Sequence, residues 1–396
     1  MKPMLIKNAD IYSEEGISES GFLLIKDGKI ANIFKQEPEL REPYVTLDGT
    51  GLKVIPGFID GHIHGANGAD VMDATEEALE IMASFLPKEG TTSFLATTIT
   101  QAPENIEKAL ASIAAYQNMP GQAEMIGVHL EGPFVEKKRA GAQPLEYIIE
   151  PDFERFRKWQ SLSGGRIKTI TMAPEHDPDG IFIKELAKSG VNVSAGHTDI
   201  NFSGMKRAVA HGVSQVTHLC NAMSGIHHRD IGVVGAAFQL PELKGELISD
   251  GIHVDKEMMQ LIFNNMGSER LIMITDSMRA KGLKPGDYEL GGQAVSVTED
   301  RAVLADGTLA GSILKMNEGA KHLLQLEGVD ISDIIQMASV NPAKQIEVFN
   351  RKGSIAVGKD ADLLLVDDEI NIHLTICRGV IAYKGDSIEI IKSEEL

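Results

Sequence analysis

Cysteine is scarce in this chain of 396 residues, which contains only Cys220 and Cys377. Two cysteines do not form a disulfide framework, and they are too few for a structural zinc site built from several cysteines. Long apolar runs are also missing, because none reaches the roughly 18 residues that a membrane-spanning helix needs. The amino-terminal stretch lacks the apolar core of a signal peptide. These absences predict a cytoplasmic protein.

Positively charged residues are also few relative to negatively charged ones. The chain has 38 Lys and Arg residues against 57 Asp and Glu residues, which gives a formal net charge of -19. This charge argues against nucleic acid or an anionic membrane as the main partner, although a locally basic pocket is compatible with it. A composition of 43% hydrophobic and 24% charged residues is that of a globular protein with a substantial core.

The middle of the chain alternates strand-like apolar runs with helical patterns. Eight strand-like runs are predicted, at Val54–Ile63, Thr92–Thr98, Met125–Leu130, Ile167–Met172, Val191–Ala195, Val216–Leu219, Gly245–Ser249 and Leu271–Ile274. Helices are predicted at Thr75–Lys88, Pro103–Tyr116, Gly180–Lys188, Asn201–His211, Lys256–Met266 and Met316–Leu326. Such alternation indicates a parallel sheet with crossover helices, and eight strands close naturally into a (β/α)8 TIM-like barrel.

The pattern at both ends of the chain predicts short strands separated by turns. The predicted terminal strands are Met4–Lys7, Phe22–Lys26, Lys29–Phe34, Ala361–Val366, Ile372–Cys377 and Val380–Tyr383. Two all-β ends that enclose an α/β middle suggest a small β-sandwich domain built from both termini. The expected division is a β-domain of residues 1–54 and 351–396 and a catalytic barrel of residues 55–350.

Two histidines separated by one residue end the first predicted barrel strand. In an extended strand, residues i and i+2 point to the same side, so His62 and His64 face one site together with Asp60. Ile59 and Ile63 then pack on the other side. Taken alone, this pattern also fits a strand end with two solvent-facing histidines. The ends of the later strands decide between these interpretations.

Further polar side chains follow the later strands, and the carboxyl ends of barrel strands meet at one face. These side chains are Glu131, His197, His218, Asp250, His253 and Asp276. Neutral imidazoles with carboxylates suit zinc, and iron or other divalent first-row metals nearly as well. An open catalytic metal site is therefore favoured over a closed structural one. His129 shares the parity of Glu131 and fits either a site residue or a hydrogen-bonded core histidine.

Several motifs occur together in a definite order. They are HLEGPF at 129–134, GHT at 196–198, THLCNAM at 217–223, DGIH at 250–253 and TD at 275–276. In this order they resemble the N-acetylglucosamine-6-phosphate deacetylases of the amidohydrolase superfamily, and the resemblance covers nearly the whole chain. It implies a metal-dependent hydrolase of a linear amide that converts N-acetylglucosamine 6-phosphate to glucosamine 6-phosphate and acetate. The implied setting is amino-sugar catabolism and cell-wall sugar recycling.

The resemblance also implies the metal ligands. Glu131, His197 and His218 match the positions that hold the principal metal, on which the family places a water or hydroxide. His62 and His64 match a second metal position, with Glu131 as the bridging group. One or two divalent ions per subunit are expected. Zinc or iron is the first choice, and manganese or cobalt is the alternative.

Asp276 matches the catalytic position of the family. A metal-bound hydroxide would attack the acetamide, while Asp276 takes the proton as general base and later returns it to the leaving amine as general acid. The residue also fits an ordinary metal ligand or a loop-capping carboxylate.

The remaining matches concern the substrate. The implied sugar-phosphate contacts are Ala142, Gln143, Asn221, Ala222, His228, Arg229, His253, Leu309, Ala310 and Gly311. Without the resemblance these would be ordinary loop residues. In the family, the arginine that matches Arg229 reaches across a subunit interface to the phosphate. A homodimer that shares Arg229 between subunits is therefore expected, with His253 as the second phosphate contact.

Two other functional classes remain open from the residues alone. A superfamily hydrolase that acts on a cyclic amide or a nucleobase would use the same metal ligands without Arg229 and His253. A metal-free sugar-phosphate-binding protein would keep those two residues and lose the ligands, whereas this chain retains them.

Overall fold

Two large sheets organise the computed structural model, which describes residues 2–40, 43–386, 388 and 390–392. One is an eight-stranded sheet in the middle of the chain, and the other is a nine-stranded sheet formed by both ends. Parts of the predicted β-domain, namely Met1, 41–42, 387, 389 and 393–396, lie outside the described residues.

The eight-stranded sheet is a parallel barrel. Its strands, which neighbour each other in chain order, are Phe58–Ile63, Thr91–Thr98, Glu124–Glu131, Ile167–Met172, Asn192–Ala195, Val213–Val216, Lys244–Ile248 and Leu271–Ile274. The first and eighth strands meet where the Asp276 amide donates to the His62 carbonyl at 2.8 Å and where Ile63 bridges Ser277. These contacts join the two edges of the sheet and confirm the predicted barrel.

Helices cover the outside of the barrel. The α-helices are Glu76–Phe85, Pro103–Ala115, Phe153–Leu162, Ile181–Lys188, Phe202–His211, Gly232–Gln239, Lys256–Met266, Met316–Leu324, Ile331–Ile335 and Asn341–Gln345. Thr75, Asp152, Asn201 and Asp255 cap four of them by accepting a first-turn N–H. Their apolar faces pack against the strands and form the main core. Among the described helices, none is long and apolar enough to cross a membrane.

Single turns join these elements. Six are 3-10 helices, at Val71–Asp73, Leu86–Glu89, Lys137–Arg139, Leu145–Tyr147, Pro174–His176 and Ser268–Arg270, and Gln336–Val340 is a π-helix.

The terminal sheet has its own core. Its strands are Met4–Ser13, Gly16–Lys26, Lys29–Phe34, Val45–Asp48, Lys53–Pro56, Leu363–Val366, Ile372–Cys377, Val380–Lys384 and Ile390–Lys392. Lys53–Pro56 pairs antiparallel with Leu363–Val366 and thereby joins the two ends of the chain. Alternate residues such as Ile6, Leu23 and Leu365 are fully buried in a cluster of their own.

Several strands differ in their bounds from the prediction, and two of these differences affect the site. Val54–Ile63 is not one strand, because the chain changes sheets at Gly57, whose amide donates to the Asp362 carbonyl at 2.9 Å. Residues before Gly57 belong to the terminal sheet, and residues after it begin the barrel. The sixth strand is Val213–Val216 rather than Val216–Leu219, so His218 lies beyond its end.

Four helices were not predicted, namely Phe153–Leu162, Gly232–Gln239, Ile331–Ile335 and Asn341–Gln345. The first two have clear physical reasons. Phe153–Leu162 is mostly polar and buries only Phe156 and Trp159, so its apolar stripe is narrow. Gly232–Gln239 is buried over nearly its whole length and contains two glycines, so it has neither a polar face nor high helix propensity. A three-stranded antiparallel sheet after the eighth barrel strand was also missed; its strands are Gly286–Leu290, Gln293–Val297 and Ala302–Val303. A two-stranded sheet joins Gly65–Ala66 and Ala69–Asp70.

Candidate active site

A cavity of about 360 Å³ opens at the carboxyl ends of the barrel strands. Most of the site residues predicted from the sequence line it, namely His64, Glu131, Ala142, Gln143, His197, His218, Asn221, Ala222, His253, Asp276, Leu309 and Gly311. The parallel barrel brings them together because they follow its strands and the inserted three-stranded sheet. This position is where barrel enzymes carry their active sites.

Four predicted site residues do not line the cavity surface. His62 is fully buried behind the cavity wall, and Ala310 is fully buried beside Leu309. His228 and Arg229 are exposed in the loop after the sixth strand, where the Arg229 Nη1 donates to His228 Nε2 at 2.6 Å. Within one chain, the structure therefore does not bring His228 and Arg229 to the cavity.

Four non-glycine residues of the cavity have a strained backbone, namely Ala222, whose φ angle is 52°, and the polar residues His197, His218 and Asp276. The φ angles of His197, His218 and Asp276 are 47°, 31° and 48°. Each residue stands two positions after the end of a barrel strand, in the left-handed region that non-glycine residues rarely adopt. Such a conformation costs on the order of 1–3 kcal/mol and persists where surrounding contacts hold it, most often at functional sites.

Glu131 ends the third strand and lies among the histidines. Its Oε1 is 3.2 Å from the Nε2 atoms of both His197 and His218, and 3.5 Å from His62 Nε2. Its Oε2 is 3.3 Å from His64 Nε2. One buried carboxylate thus faces all four imidazoles.

Asp276 completes the cluster from the end of the eighth strand. Its Oδ1 is 3.4 Å from His62 Nε2 and 3.2 Å from His64 Nε2. The Asp276 side chain is 12% exposed, compared with 2% for Glu131. Asp276 is therefore the carboxylate of this pair that a bound substrate can reach more easily.

The opposite ring nitrogens of the histidines share one feature, an oxygen acceptor close to Nδ1. The acceptors are the Thr97 carbonyl for His64 at 3.2 Å, the Arg139 carbonyl for His197 at 2.9 Å, the Asn221 carbonyl for His218 at 3.2 Å and Glu246 Oε2 for His62 at 3.0 Å. A carbonyl or carboxylate oxygen only accepts, so each Nδ1 carries the proton. In the neutral rings, four Nε2 lone pairs then converge on one place.

The spacing of these donor atoms fits divalent metal ions. His197 Nε2 and His218 Nε2 are 3.0 Å apart, and neither nitrogen carries a proton to share when both rings are neutral. Atoms bonded to one tetrahedral zinc ion at about 2.0–2.1 Å lie about 3.3 Å apart. His62 Nε2 is buried and has no hydrogen-bond partner among the described residues. The donors form two compact groups, Glu131 with His197 and His218, and Asp276 with His62 and His64.

The pKa values of His64, Glu131 and Asp276 also indicate that the site favours positive charge. Burial would lower the pKa of His64, but the Asp276 and Glu131 carboxylates raise it to about 9. Burial would raise the pKa of Glu131, but His62 and the close imidazoles of His197 and His218 hold it well below its usual range. Burial also opposes ionisation of Asp276, whose pKa falls to about 2 beside His62 and His64. The two carboxylates therefore stay ionised and favour cations opposite them.

His129 is a core histidine rather than a ligand. Its Nδ1 lies 3.1 Å from the Gly61 carbonyl and its Nε2 lies 2.7 Å from Thr171 Oγ1. Burial, followed by the charge of His62, lowers its pKa to about 4. Both nitrogens are occupied, and the ring stays neutral.

Some contacts and residues of the site were not found from the sequence. Gln143 was expected to contact substrate, but its Nε2 also donates to Glu131 Oε2 at 2.8 Å. Lys138 and Arg139 line the cavity as well, and this basic pair soon after Glu131 was an available signal. Glu246 was another signal, because a charged residue stands inside an otherwise buried strand. No sequence signal pointed to Leu290, because it reaches the cavity from the inserted three-stranded sheet.

Comparison with known proteins agrees with this geometry. Residues 53–382 match the model of the amidohydrolase family. The N-acetylglucosamine-6-phosphate deacetylase of Bacillus subtilis (strain 168) is 49% identical over 387 residues, which cover 96% of this chain and 97% of the relative. The N-acetylgalactosamine-6-phosphate deacetylase of Escherichia coli O157:H7 is 32% identical and covers 94% of this chain and 97% of the relative.

A solved structure supports the same assignment over the full fold. The crystal structure of N-acetylglucosamine-6-phosphate deacetylase from Pasteurella multocida superposes with a TM-score of 0.89 at 30% identity, covering 96% of this chain and 99% of that chain. The match extends over both the barrel and the terminal sheet. This chain therefore belongs to the N-acetylglucosamine-6-phosphate deacetylase family of the amidohydrolases.

Proposed function

We propose that this enzyme hydrolyses N-acetylglucosamine 6-phosphate to glucosamine 6-phosphate and acetate. The observation that carries the proposal is the convergence of four imidazole Nε2 atoms and two ionised carboxylates at the cavity of the barrel. Hydrolysis of an unactivated amide needs an activated water and a group that moves a proton, and this cluster can supply both. The Bacillus subtilis relative carries the name of this activity.

The ligands assigned to the metal follow from the two donor groups. Glu131, His197 and His218 would hold one ion, and His62 and His64 would hold a second, with Glu131 facing both groups. When bound, a divalent cation lowers the pKa of a water molecule and polarises the acetamide carbonyl. We propose zinc or iron, because imidazole and carboxylate ligands suit both.

Asp276 is the proposed proton carrier. An aspartate carboxylate is ionised at neutral pH, so it can accept the proton of the attacking water. The water oxygen bonds to the carbonyl carbon, the C–N bond breaks, and Asp276 delivers the proton to the amine nitrogen. The eighth-strand end holds Asp276 in place, because its amide donates to the His62 carbonyl at 2.8 Å.

His253 is the proposed phosphate contact within the chain. It lines the cavity, and its Nδ1 lies 2.6 Å from Asp250 Oδ2, which fixes the ring and leaves the other nitrogen for a ligand. Lys138 and Arg139 also line the cavity, but both pair with Asp199, at 2.6 Å and 2.7 Å. Their cations are thus partly neutralised before any substrate binds.

Arg229 is proposed to act on a neighbouring subunit. It is exposed at the tip of a tight turn, where His227 and Asp230 exchange two backbone hydrogen bonds at 2.9 Å and 3.0 Å. A guanidinium presented this way can make a bidentate contact with a phosphate in a partner's cavity. The enzyme would then be a homodimer.

The decisive experiment measures acetate release from N-acetylglucosamine with and without the 6-phosphate, and from N-acetylgalactosamine 6-phosphate. We expect turnover of the first phosphorylated sugar and a large loss of kcat/KM without the phosphate. Faster turnover of the galacto sugar would assign the substrate named for the Escherichia coli relative. Binding without turnover would favour a sugar-phosphate-binding protein. Hydrolysis of a cyclic amide without acetate release would favour another amidohydrolase activity.

The shared site is tested by complementation. Arg229→Ala and Asp276→Asn proteins should each be nearly inactive, and mixing them should restore activity, because some hybrid sites then contain both functional residues. Subunit exchange is verified with differently tagged chains. If exchange occurs and no activity returns, Arg229 does not serve the neighbouring site.

A further inference from the structure

Glu246 lies behind the metal ligands in the seventh barrel strand and is 2% exposed. Its Oε2 accepts from His62 Nδ1 at 3.0 Å and from the His218 amide at 3.3 Å. Its Oε1 accepts from Gln215 Nε2 at 2.6 Å. The Glu246 carboxylate thus contacts the ring of one proposed ligand, His62, and the backbone amide of another, His218. The reaction described above gives this carboxylate no role.

Glu246 is not part of another metal site, although His62, His129 and Glu246 lie close enough to form one. Both nitrogens of His129 are occupied by hydrogen bonds with the Gly61 carbonyl and the Thr171 hydroxyl. Both oxygens of Glu246 are occupied as well. The group therefore offers too few free donor atoms for an additional ion.

We infer that Glu246 is a positioning residue for the second ion, because it holds the proton on His62 Nδ1 and aims Nε2 at the second donor group. This inference rests on the two-ion site of the proposed function. His64, His197 and His218 use backbone carbonyls for the same purpose. His62 is the one proposed histidine ligand whose acceptor is a side chain, and a carboxylate acceptor orients the ring and strengthens its nitrogen as a ligand.

The contacts of Glu246 also predict which ion depends on it. Its contact with His218 involves the backbone amide, and the ring of His218 keeps its own acceptor at the Asn221 carbonyl. The ligand atoms of Glu131 and His197 do not touch Glu246. Changing Glu246 should therefore weaken the second ion and leave the first ion in place.

The test is a Zn²⁺ titration of metal-depleted wild-type and Glu246→Gln proteins, followed by calorimetry and by metal counting. We expect two ions on the wild type, and a 10- to 100-fold weaker second ion with an unchanged first ion on the variant. Glu246→Asp keeps the charge but withdraws the carboxylate by one methylene, and it should weaken the same ion. This second variant preserves the test if Glu246→Gln does not fold.

Asn192→Ala is the matched control. Asn192 is buried in the same barrel interior and donates to Gln215 Oε1 at 2.9 Å, but it contacts none of the proposed ligands. It should lower stability without changing either metal affinity. In a His62→Gln background, Glu246→Gln should have no further effect on metal binding, because the ring that it positions is gone.

The outcomes separate the two claims. A wild type with two ions and a Glu246→Gln protein with unchanged affinities would overturn the role of Glu246 and leave the two-ion proposal standing. A wild type that binds one ion would overturn both. Equal weakening of both ions in Glu246→Gln and Asn192→Ala would show a merely structural role and overturn the inference.

Discussion

The two donor groups of the site hold their histidines in different ways. His197 and His218 stand beyond their strands in strained conformations and donate to loop carbonyls. His62 lies in the first strand and depends on the carboxylate of Glu246. A backbone carbonyl remains available as an acceptor after any substitution that preserves the loop. A side-chain acceptor is lost when that one residue is replaced. We therefore expect that single substitutions can remove the second group without disturbing the first.

The largest effect is expected where the two groups meet, at Glu131. Glu131→Gln removes the charge that faces all four imidazoles, so both ions should bind more weakly. Turnover should fall by more than the roughly 100-fold that loss of an outer-sphere partner costs. Metal analysis and steady-state kinetics measure these effects, with circular dichroism to confirm the fold. A folded variant with full metal content and normal rate would contradict the assignment.

Asp276→Asn should have the next largest effect. The substitution keeps the size of the side chain and its Oδ1 atom near His62 and His64 but removes the proton acceptor. Turnover should fall by about 100-fold or more, which is the usual contribution of general acid–base catalysis. KM and metal content should change little. Loss of the metal would make Asp276 chiefly a ligand, and near-normal turnover would assign the proton to another group.

Replacing His62 and His64, at the end of the first strand, isolates the second group. The His62→Gln, His64→Asn double variant removes two of its nitrogens and leaves Glu131, His197 and His218 unchanged. The metal count should fall from two to one per chain in elemental analysis of the dialysed protein. A count that does not change would disprove the second site.

The smallest effect is expected for His129→Gln, which tests whether proximity alone makes a ligand. The His129 ring lies 4.4 Å from that of His62, yet both of its nitrogens serve the core. Imperfect replacement of these bonds should lower the free energy of unfolding by about 1–3 kcal/mol. Urea denaturation measures the loss, and metal content should stay constant. Loss of an ion would place His129 among the ligands.

Most of the barrel was predictable from the sequence because each buried strand is a short apolar run. Ile167–Met172 and Leu271–Ile274 were predicted with the bounds that the structure shows. The errors arose where the local sequence pattern does not indicate which strand or helix packs next to the segment. Nothing in Val54–Ile63 indicates that its two halves pair with different sheets. The apolar helix Gly232–Gln239 has no polar face from which a period could be recognised.

The kinds of chemical group and the strand ends that carry them could be identified from the sequence, since a parallel barrel gathers whatever follows its strands. The contacts that each group makes could be identified only from the folded structure. The partner of His62 is Glu246, 184 residues away, and that of His197 is the Arg139 carbonyl, 58 residues away. Tertiary structure also left Arg229 outside the cavity of its own chain. The physical reason is that strand periodicity is a local property, whereas hydrogen-bond partners across a closed barrel depend on the register of every strand between them.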